Sequence, residues 1–178
     1  MLEQTICIRP ISAKEAAERS SALADVLIDC VAGGATVSFL APLTRDKAEA
    51  FWRRIAQSLA RGERALIVAE DRANGAMIGT AQIVLEQPEN QPHRADVQKV
   101  LVHRRARRRG IGSALLNAVE DAGRAAGKTL LMLDTTSGSD AERLYARSGW
   151  TRMGVVPGHA LLTDGRPSDT TFFYKHLV

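Results

Sequence analysis

Five arginines crowd into the stretch from Arg104 to Arg109, and two glycines, Gly110 and Gly112, follow them. Val97 to Val102 ahead of them reads as a strand, and Ser113 to Ala126 behind them reads as a helix. A turn entering a helix N-terminus aims several unpaired backbone N–H groups at one spot, where the helix dipole adds partial positive charge. Gly110 and Gly112 have no Cβ, so a phosphate can approach the main chain there. The arginines can add charge-assisted, bidentate hydrogen bonds. These are the parts of a diphosphate site. A dinucleotide fingerprint would need Gly or Ala where Leu115 stands, and a P-loop would need a Gly-Lys-Ser/Thr ending that the chain lacks.

Two carboxylates flank this stretch at strand positions. Asp96 sits at the start of the fourth expected strand, and Asp134 ends the apolar run Leu130-Leu131-Met132-Leu133 of the fifth. Ligands in α/β sheets gather at such strand ends. Asp96 and Asp134 are candidates for a pair that deprotonates or orients an amine. A primary amine has a pKa of ~10.4 and an ordinary Asp one of ~3.9. Such a carboxylate must be raised by burial, work through water, or anchor the ammonium. The plainer alternative is that Asp134 caps a loop and Asp96 faces solvent. His159 follows Pro157-Gly158 on a segment able to cover a substrate, and a surface histidine is its plainer alternative. His93, His103 and His176 have no metal-ligand spacing, and no metal is expected.

Composition narrows the partner. The net charge is +4, from 24 basic and 20 acidic residues. Without the five clustered arginines the balance would be 19 against 20, so the positive charge is local. A local patch suits one anionic ligand better than a nucleic-acid surface. Aromatics make up 4% of the chain and none interleaves the patch, so stacking platforms for bases are absent. The start of the chain carries Glu3 and a β-like stretch rather than a leader, and no apolar run reaches the ~18 residues of a membrane span. Cys7 and Cys30 fit neither a disulfide framework nor a zinc pattern and read as packed or free thiols. A cytoplasmic protein with no membrane partner is expected.

The elements that must position these residues alternate between strand-like and helix-like, an α/β or α+β pattern. The 178 residues suit a single domain, 1–178. Ile6 to Arg9 reads as a strand. The capping box Ser12-Ala13-Lys14-Glu15 opens a helix expected to run to Gly33-Gly34. Thr44 caps a second helix, ended by Gly62. Leu66 to Ala69 and Met77 to Leu85 form a hairpin around Asn74-Gly75. The apolar run from Leu130 predicts a central strand buried on both faces. Ser139-Asp140-Ala141-Glu142 is a second capping box, whose helix stops at Gly149. Thr151 to Val156 and Thr171 to Leu177 are the last two strands, with Asp164-Gly165 marking a turn in the long connection between them. Trp52 and Trp150 read as packing residues.

Arg107-Arg108-Arg109-Gly110-Ile111-Gly112, set between a strand and a helix, resembles the Arg/Gln-x-x-Gly-x-Gly/Ala loop of the GNAT superfamily of N-acetyltransferases. Leu144-Tyr145-Ala146-Arg147-Ser148-Gly149-Trp150 resembles the same family's Leu-Tyr-x-x-x-Gly-Phe segment, and the element order matches over nearly the whole chain. The resemblance implies a mixed, mostly antiparallel sheet of about seven strands, splayed between the fourth and fifth, with about four flanking helices. It implies acetyl-CoA as co-substrate, its pantetheine arm in the splay beside Val100, Leu101 and Val102. Its pyrophosphate would lie on Arg107, Arg108, Arg109, Gly110, Ile111, Gly112 and Ser113, with Ala141 and Leu144 alongside. Tyr145 would hydrogen-bond the departing sulfur, and the backbone N–H near Val102 would hold the oxyanion. Relatives often have Gly where Arg108 stands, Pro where Arg104 stands, and an Asn where Gly138 stands.

A closer resemblance covers Gly33 to Phe39, Ala95 to Lys99 and Pro157 to Pro167. It is to the tabtoxin-resistance acetyltransferases, which acetylate an amine on a β-lactam dipeptide toxin. It implies an acceptor pocket lined by Phe39 and the Gly33-Gly34 turn, and a small-molecule primary amine as partner; Asp96, Asp134 and His159 are the candidates read from position to join that pocket. A protein N-terminus or lysine as acceptor, and a non-catalytic acetyl-CoA-binding domain, remain the alternatives. A homodimer through the apolar N-terminal helices is also open.

Overall fold

The computed structural model describes residues 5–177, so Glu3 lies outside the described part. Its strands are β1 (Ile6–Pro10), β2 (Arg64–Asp71), β3 (Ala76–Val84), β4 (Arg94–Val102), β5 (Leu130–Thr136), β6 (Thr151–Leu161) and β7 (Pro167–His176). Its helices are α1 (Ala13–Glu18), α2 (Ser20–Ala32), α3 (Arg45–Ala60), α4 (Ile111–Ala125) and α5 (Asp140–Arg147), with a short 3-10 turn at Arg104–Ala106. The strands form one sheet in the order β1-β2-β3-β4-β5-β7-β6. Only β4 and β5 run parallel; the other neighbours are antiparallel. This is the GNAT fold that the motifs imply.

Side chains alternate across the sheet, so each face collects its own core. Ile83, Val97 and Leu131 pack with Leu115, Leu116 and Val119 of α4. Leu66, Val68 and Leu101 pack with Leu23 and Leu27 of α2 and Trp52 of α3. Val97 and Leu101 are four residues apart and would share a face in a regular strand. They do not, because β4 carries a bulge. Gln82 pairs with Gln98 and Thr80 with Leu101, which leaves Lys99 and Val100 together opposite Ala81. Lys99 takes a φ of +51°. One extra residue reverses the faces of everything after it.

The second consequence falls on the other side of β4. Its parallel ladder with β5 holds only Arg94 to Leu130, Ala95 to Leu131 and Asp96 to Met132. β5 goes on pairing with β7 as far as Thr136. Past Asp96, β4 and β5 therefore share no ladder, and a gap opens between Val97–Val102 and Leu133–Thr136.

Several sequence expectations need correcting. The first helix is broken at Arg19, giving five helices rather than about four. The break has a distant cause: Arg19 bonds Glu70 Oε1 at 2.9 Å and the Gly75 carbonyl at 2.5 Å, on the β2–β3 hairpin. Ser12 caps α1 through the Glu15 N–H at 3.1 Å, but the Glu15 carboxylate turns to Arg9 instead of closing the box. β5 is not buried on both faces: Leu131 and Leu133 are buried, whereas Leu130 and Met132 are half-buried and Asp134 is exposed. No helix covers that second face. β6 and β7 reach Leu161 and Pro167, so the expected long connection is a short hairpin loop.

Arg9 links β1, α1 and β2, bonding Glu15 at 2.5 Å and Glu70 at 2.8 Å. Burial pushes Glu70 up, but its bonds to Arg9 and Arg19 outweigh that and hold its carboxyl below the ordinary 4.5. A group depressed in the folded state stabilises above its unfolded pKa and loses that contribution as pH falls through the folded value. Arg9→Met should therefore cost about 1–2 kcal/mol at pH 7, after allowing for partial solvent exposure. Urea unfolding should show the deficit shrink as pH drops below 4.5. An equal deficit at pH 3 and pH 7 would mean that Arg9 acts by packing alone.

Candidate functional site

α4 begins at Gly110, which sits in the left-handed region at φ 75° and offers no side-chain cap. The first helical hydrogen bond runs from Ala114 N–H to the Gly110 carbonyl at 3.1 Å. The N–H groups of Ile111, Gly112 and Ser113 precede it and have no intrahelical partner, so they are available to an anion. The arginines divide their work. Arg104 gives its backbone N–H to Asp29 Oδ2 at 2.8 Å and its Nε to Oδ1 at 2.9 Å, which ties the turn to α2. Arg107 Nε donates to the Val102 carbonyl at 3.3 Å. Arg109 reaches Thr5 Oγ1 at 3.4 Å. Arg107 and Arg108 both act on Asp140, lowering its pKa after the larger effect of Arg143.

Gly112 has a packing reason beside the one read in the sequence. A Cβ there would lie 2.9 Å from Leu144 Cδ2. The bare backbone lets α5 approach α4, and Ala141 and Leu144 pack against the same core as Val100 and Val102.

The gap side of β4 carries free main-chain chemistry. His103 N–H donates to the Ile78 carbonyl at 2.9 Å. Antiparallel pairs alternate between bonded and non-bonded, so Leu101 bonds Thr80 while Val102 turns its N–H and C=O away from β3. The Val102 carbonyl is taken by Arg107 and by Cys30 Sγ at 3.4 Å. Its N–H faces the gap. Burial pushes the Cys30 thiol up to about 11, so it stays protonated and donates that bond.

A cleft of about 360 Å³ opens on the sheet face that α1–α3 leave bare beyond β4. Phe39 comes from the α2–α3 loop, Asp134 from the end of β5 and His159 from β6. These three candidates are thus brought together from separate parts of the chain. His159 lies in strand β6 at an irregularity between Val156 and Ala160, not on a free loop, and its ring packs edge-on to Phe172 at 5.2 Å. Phe39 packs edge-on to Phe51 at 5.3 Å. Ala41 N–H donates to the Thr163 carbonyl at 2.9 Å, joining the α2–α3 loop to the β6–β7 hairpin.

Asp96 does not line this cleft. Asp96 Oδ1 binds Arg94 at 2.6 Å and Oδ2 accepts from Gln87 Nε2 at 3.1 Å. Both oxygens are occupied where β4 is still paired to β5. Sequence reasoning placed Asp96 on the right strand but had no signal for these two partners.

Tyr145 is 5% exposed on α5, with ring centroids 6.1 Å from Trp150 and 5.9 Å from Phe173. Burial pushes its hydroxyl pKa up, and the Asp134 charge adds to the shift. The hydroxyl is therefore a proton donor at any ordinary pH. Asp134 also acts on Lys99, whose ammonium burial disfavours and the carboxylate favours. Nothing in the sequence signals this arrangement at Lys99, because no glycine marks the bulge that carries it. Among the described residues, no group of three His, Cys, Asp or Glu is placed to hold a metal ion. No described helix is long and apolar enough to cross a membrane.

Comparison with known proteins agrees with this architecture. The profile of the Acetyltransferase (GNAT) family matches residues 30–150. The fold is similar to an N-acetyltransferase from Staphylococcus aureus Mu50, with 20% identity, TM-score 0.79, and 97% of this chain and 99% of that one covered. It is also similar to yncA of Salmonella typhimurium, an acetyltransferase solved with its cofactor acetyl-CoA, at 21% identity and TM-score 0.78, covering 97% and 94%. A ribosomal-protein-alanine N-acetyltransferase from Brucella melitensis matches at 23% identity and TM-score 0.77, covering 96% and 99%. At these identities the likeness is one of fold.

The contact at Gly112 gives a test that needs no ligand. Gly112→Val should lower the thermal midpoint of the free protein by the equivalent of about 1–3 kcal/mol, since an added side chain overpacks the α4–α5 contact. Adding Leu144→Ala to Gly112→Val should recover part of the loss. A variant with an unchanged midpoint would remove the packing reason and leave phosphate approach alone as the reason for the glycine.

Proposed function

The chain belongs to the acetyltransferase (GNAT) family, and we propose that it carries an acetyl group from acetyl-CoA to the primary amine of a small, amino-acid-like molecule. A tabtoxin-like β-lactam dipeptide is the leading acceptor, on the residues around Phe39, Asp96 and Pro157 that suggest it. The observation that carries the small-molecule reading is the convergence of Phe39, Asp134 and His159 on one cleft. A peptide needs a long open groove, whereas a cleft of about 360 Å³ suits a compact ligand.

The residues present fit acetyl-CoA. The unpaired N–H groups opening α4, with Arg107 and Arg108 beside them, suit a pyrophosphate. The gap beside Val100 and Val102 suits an extended arm, because its main-chain edge lacks a strand partner. Ala141 and Leu144 supply an apolar wall. When bound there, acetyl-CoA supplies an acyl group already activated as a thioester. Every other part of the task falls to the protein.

Asp134 holds the acceptor ammonium at the cleft floor and takes its proton directly or through water. The Val102 N–H, aimed into the gap, stabilises the oxyanion that develops at the carbonyl. Tyr145 hydrogen-bonds the departing sulfur. A phenol with a raised pKa does not give up its proton early, so its contribution is a hydrogen bond that strengthens as negative charge builds on sulfur. Asp96 is assigned a structural role, fixing the start of β4 through Arg94 and Gln87.

The sheet draws strands from both ends of the described chain, which supports reading residues 1–178 as one domain. The unpaired cysteines Cys7 and Cys30 suit a reducing, cytoplasmic compartment.

Tyr145→Phe separates chemistry from packing, since the ring stays and only the hydroxyl leaves. It should lower kcat by about 10- to 100-fold while the KM for acetyl-CoA changes less than about threefold. The assay is thiol release with a panel of small amines and peptides. An unchanged kcat would make Tyr145 a packing residue. Faster turnover on peptides than on any small amine would replace the acceptor class.

A further inference from the structure

We propose that Lys99 is the anchor for a carboxylate of the acceptor, so that the cleft selects a zwitterion whose amine faces Asp134 and whose carboxylate faces Lys99. This rests on the small-amine reading above and narrows it to molecules that carry a free carboxylate near the amine.

Only three non-glycine residues among those described have positive φ: Ser38 at 74°, Lys99 at 51° and Arg108 at 61°. Such conformations are costly for residues with a Cβ and persist where surrounding structure enforces them. Two of the three are bonded to each other, Lys99 Nζ to Ser38 Oγ at 3.0 Å. One comes from the β4 bulge and the other from the α2–α3 loop. Two strained segments are thus held together at a single ammonium.

That ammonium is incompletely satisfied. It has three N–H donors. One goes to Ser38, and the group stands 5.8 Å from the centroid of the Phe51 ring. Among the described residues no carboxylate lies within ion-pair distance of it. Arg64 adds a second positive charge nearby, and burial disfavours the charged form. A half-buried ammonium with spare donors and no counter-ion is poised for an anionic partner.

Asp134 is close enough to attract Lys99 but makes no ion pair with it. Asp134 and Ser38 line the same cleft. Lys99 does not itself line the cleft; it stands behind Ser38, which does, so one negative group in the cleft and one positive group at its edge lie near each other without pairing. An α-amino acid, or a dipeptide with its terminal carboxylate close by, complements both at once. A simple alkylamine would leave Lys99 desolvated without a partner.

The test compares matched acceptors that differ only at the carboxylate: free amino acids and their carboxamides, with acetyl-CoA saturating. The wild-type protein should favour the acids by about 10- to 100-fold in kcat/KM. Lys99→Met, which keeps the apolar stem, should cut that preference to within about threefold by raising KM for the acids far more than for the amides. Lys99→Arg should keep most of the preference, which a purely structural lysine would not predict. Thermal unfolding of each variant checks that the bulge survives. Equal use of acids and amides by the wild type overturns the carboxylate anchor and leaves the small-amine reading standing. So does a Lys99→Met variant that loses both acceptors in equal measure. Acetylation of neither kind overturns the anchor and the small-amine reading together.

Discussion

A parallel ladder that stops after three residue pairs sets the rest of the site. β5 needs a partner on each side, and β7 supplies one along its whole length, while β4 pairs with it only from Arg94 to Asp96. The Lys99 bulge gives β4 an extra residue at the point where the two strands part. From there the Val102 N–H faces open space instead of a neighbouring strand. Buried backbone groups are nearly always satisfied, so an unpaired edge inside a sheet is a place for a ligand that brings its own hydrogen bonds. The same departure brings Val100 and Val102 over α4 and sends Leu101 to the other core. One irregularity thereby joins the two sides of the sheet.

Charge is arranged around that opening in a consistent sense. The N-terminus of α4, with Arg107 and Arg108, is the positive pole. Asp134 is the negative group at the far side, and its field reaches both Tyr145 and Lys99. Burial keeps the Tyr145 phenol protonated, and the Asp134 charge that reinforces it also draws a cationic amine toward the same place. Arg104, which looked like part of the anion site, is spent on Asp29. That pairing fixes the turn against α2 and so sets where the remaining arginines point.

Features of the chain were legible in the sequence when their cause was local. Ser12, Thr44 and Ser139 cap helices where the text of the chain places them, because a cap involves residues three apart. The strand-arginine-glycine-helix unit was legible for the same reason. Long-range causes were not. Arg19 breaks the first helix by reaching a hairpin more than fifty residues away. Asp96 looked available because Gln87 and Arg94 could not be seen to close on it. Gly112 looked like a phosphate contact, and the nearer reason is Leu144, 32 positions downstream. Lys99 was invisible because its backbone conformation, unusual for a residue with a Cβ, is imposed by strand registers rather than by sequence.

The claim on which everything else rests is that the open edge of β4 and the start of α4 together hold acetyl-CoA. Thermal unfolding with and without acetyl-CoA tests it most directly. At 100 times the dissociation constant a ligand adds about 2.7 kcal/mol, a rise of roughly 5–10 °C for a protein of this size. The account predicts that rise with acetyl-CoA and with CoA, and none with ATP. An unchanged midpoint at millimolar acetyl-CoA would contradict it, and the open strand edge would then need a different ligand.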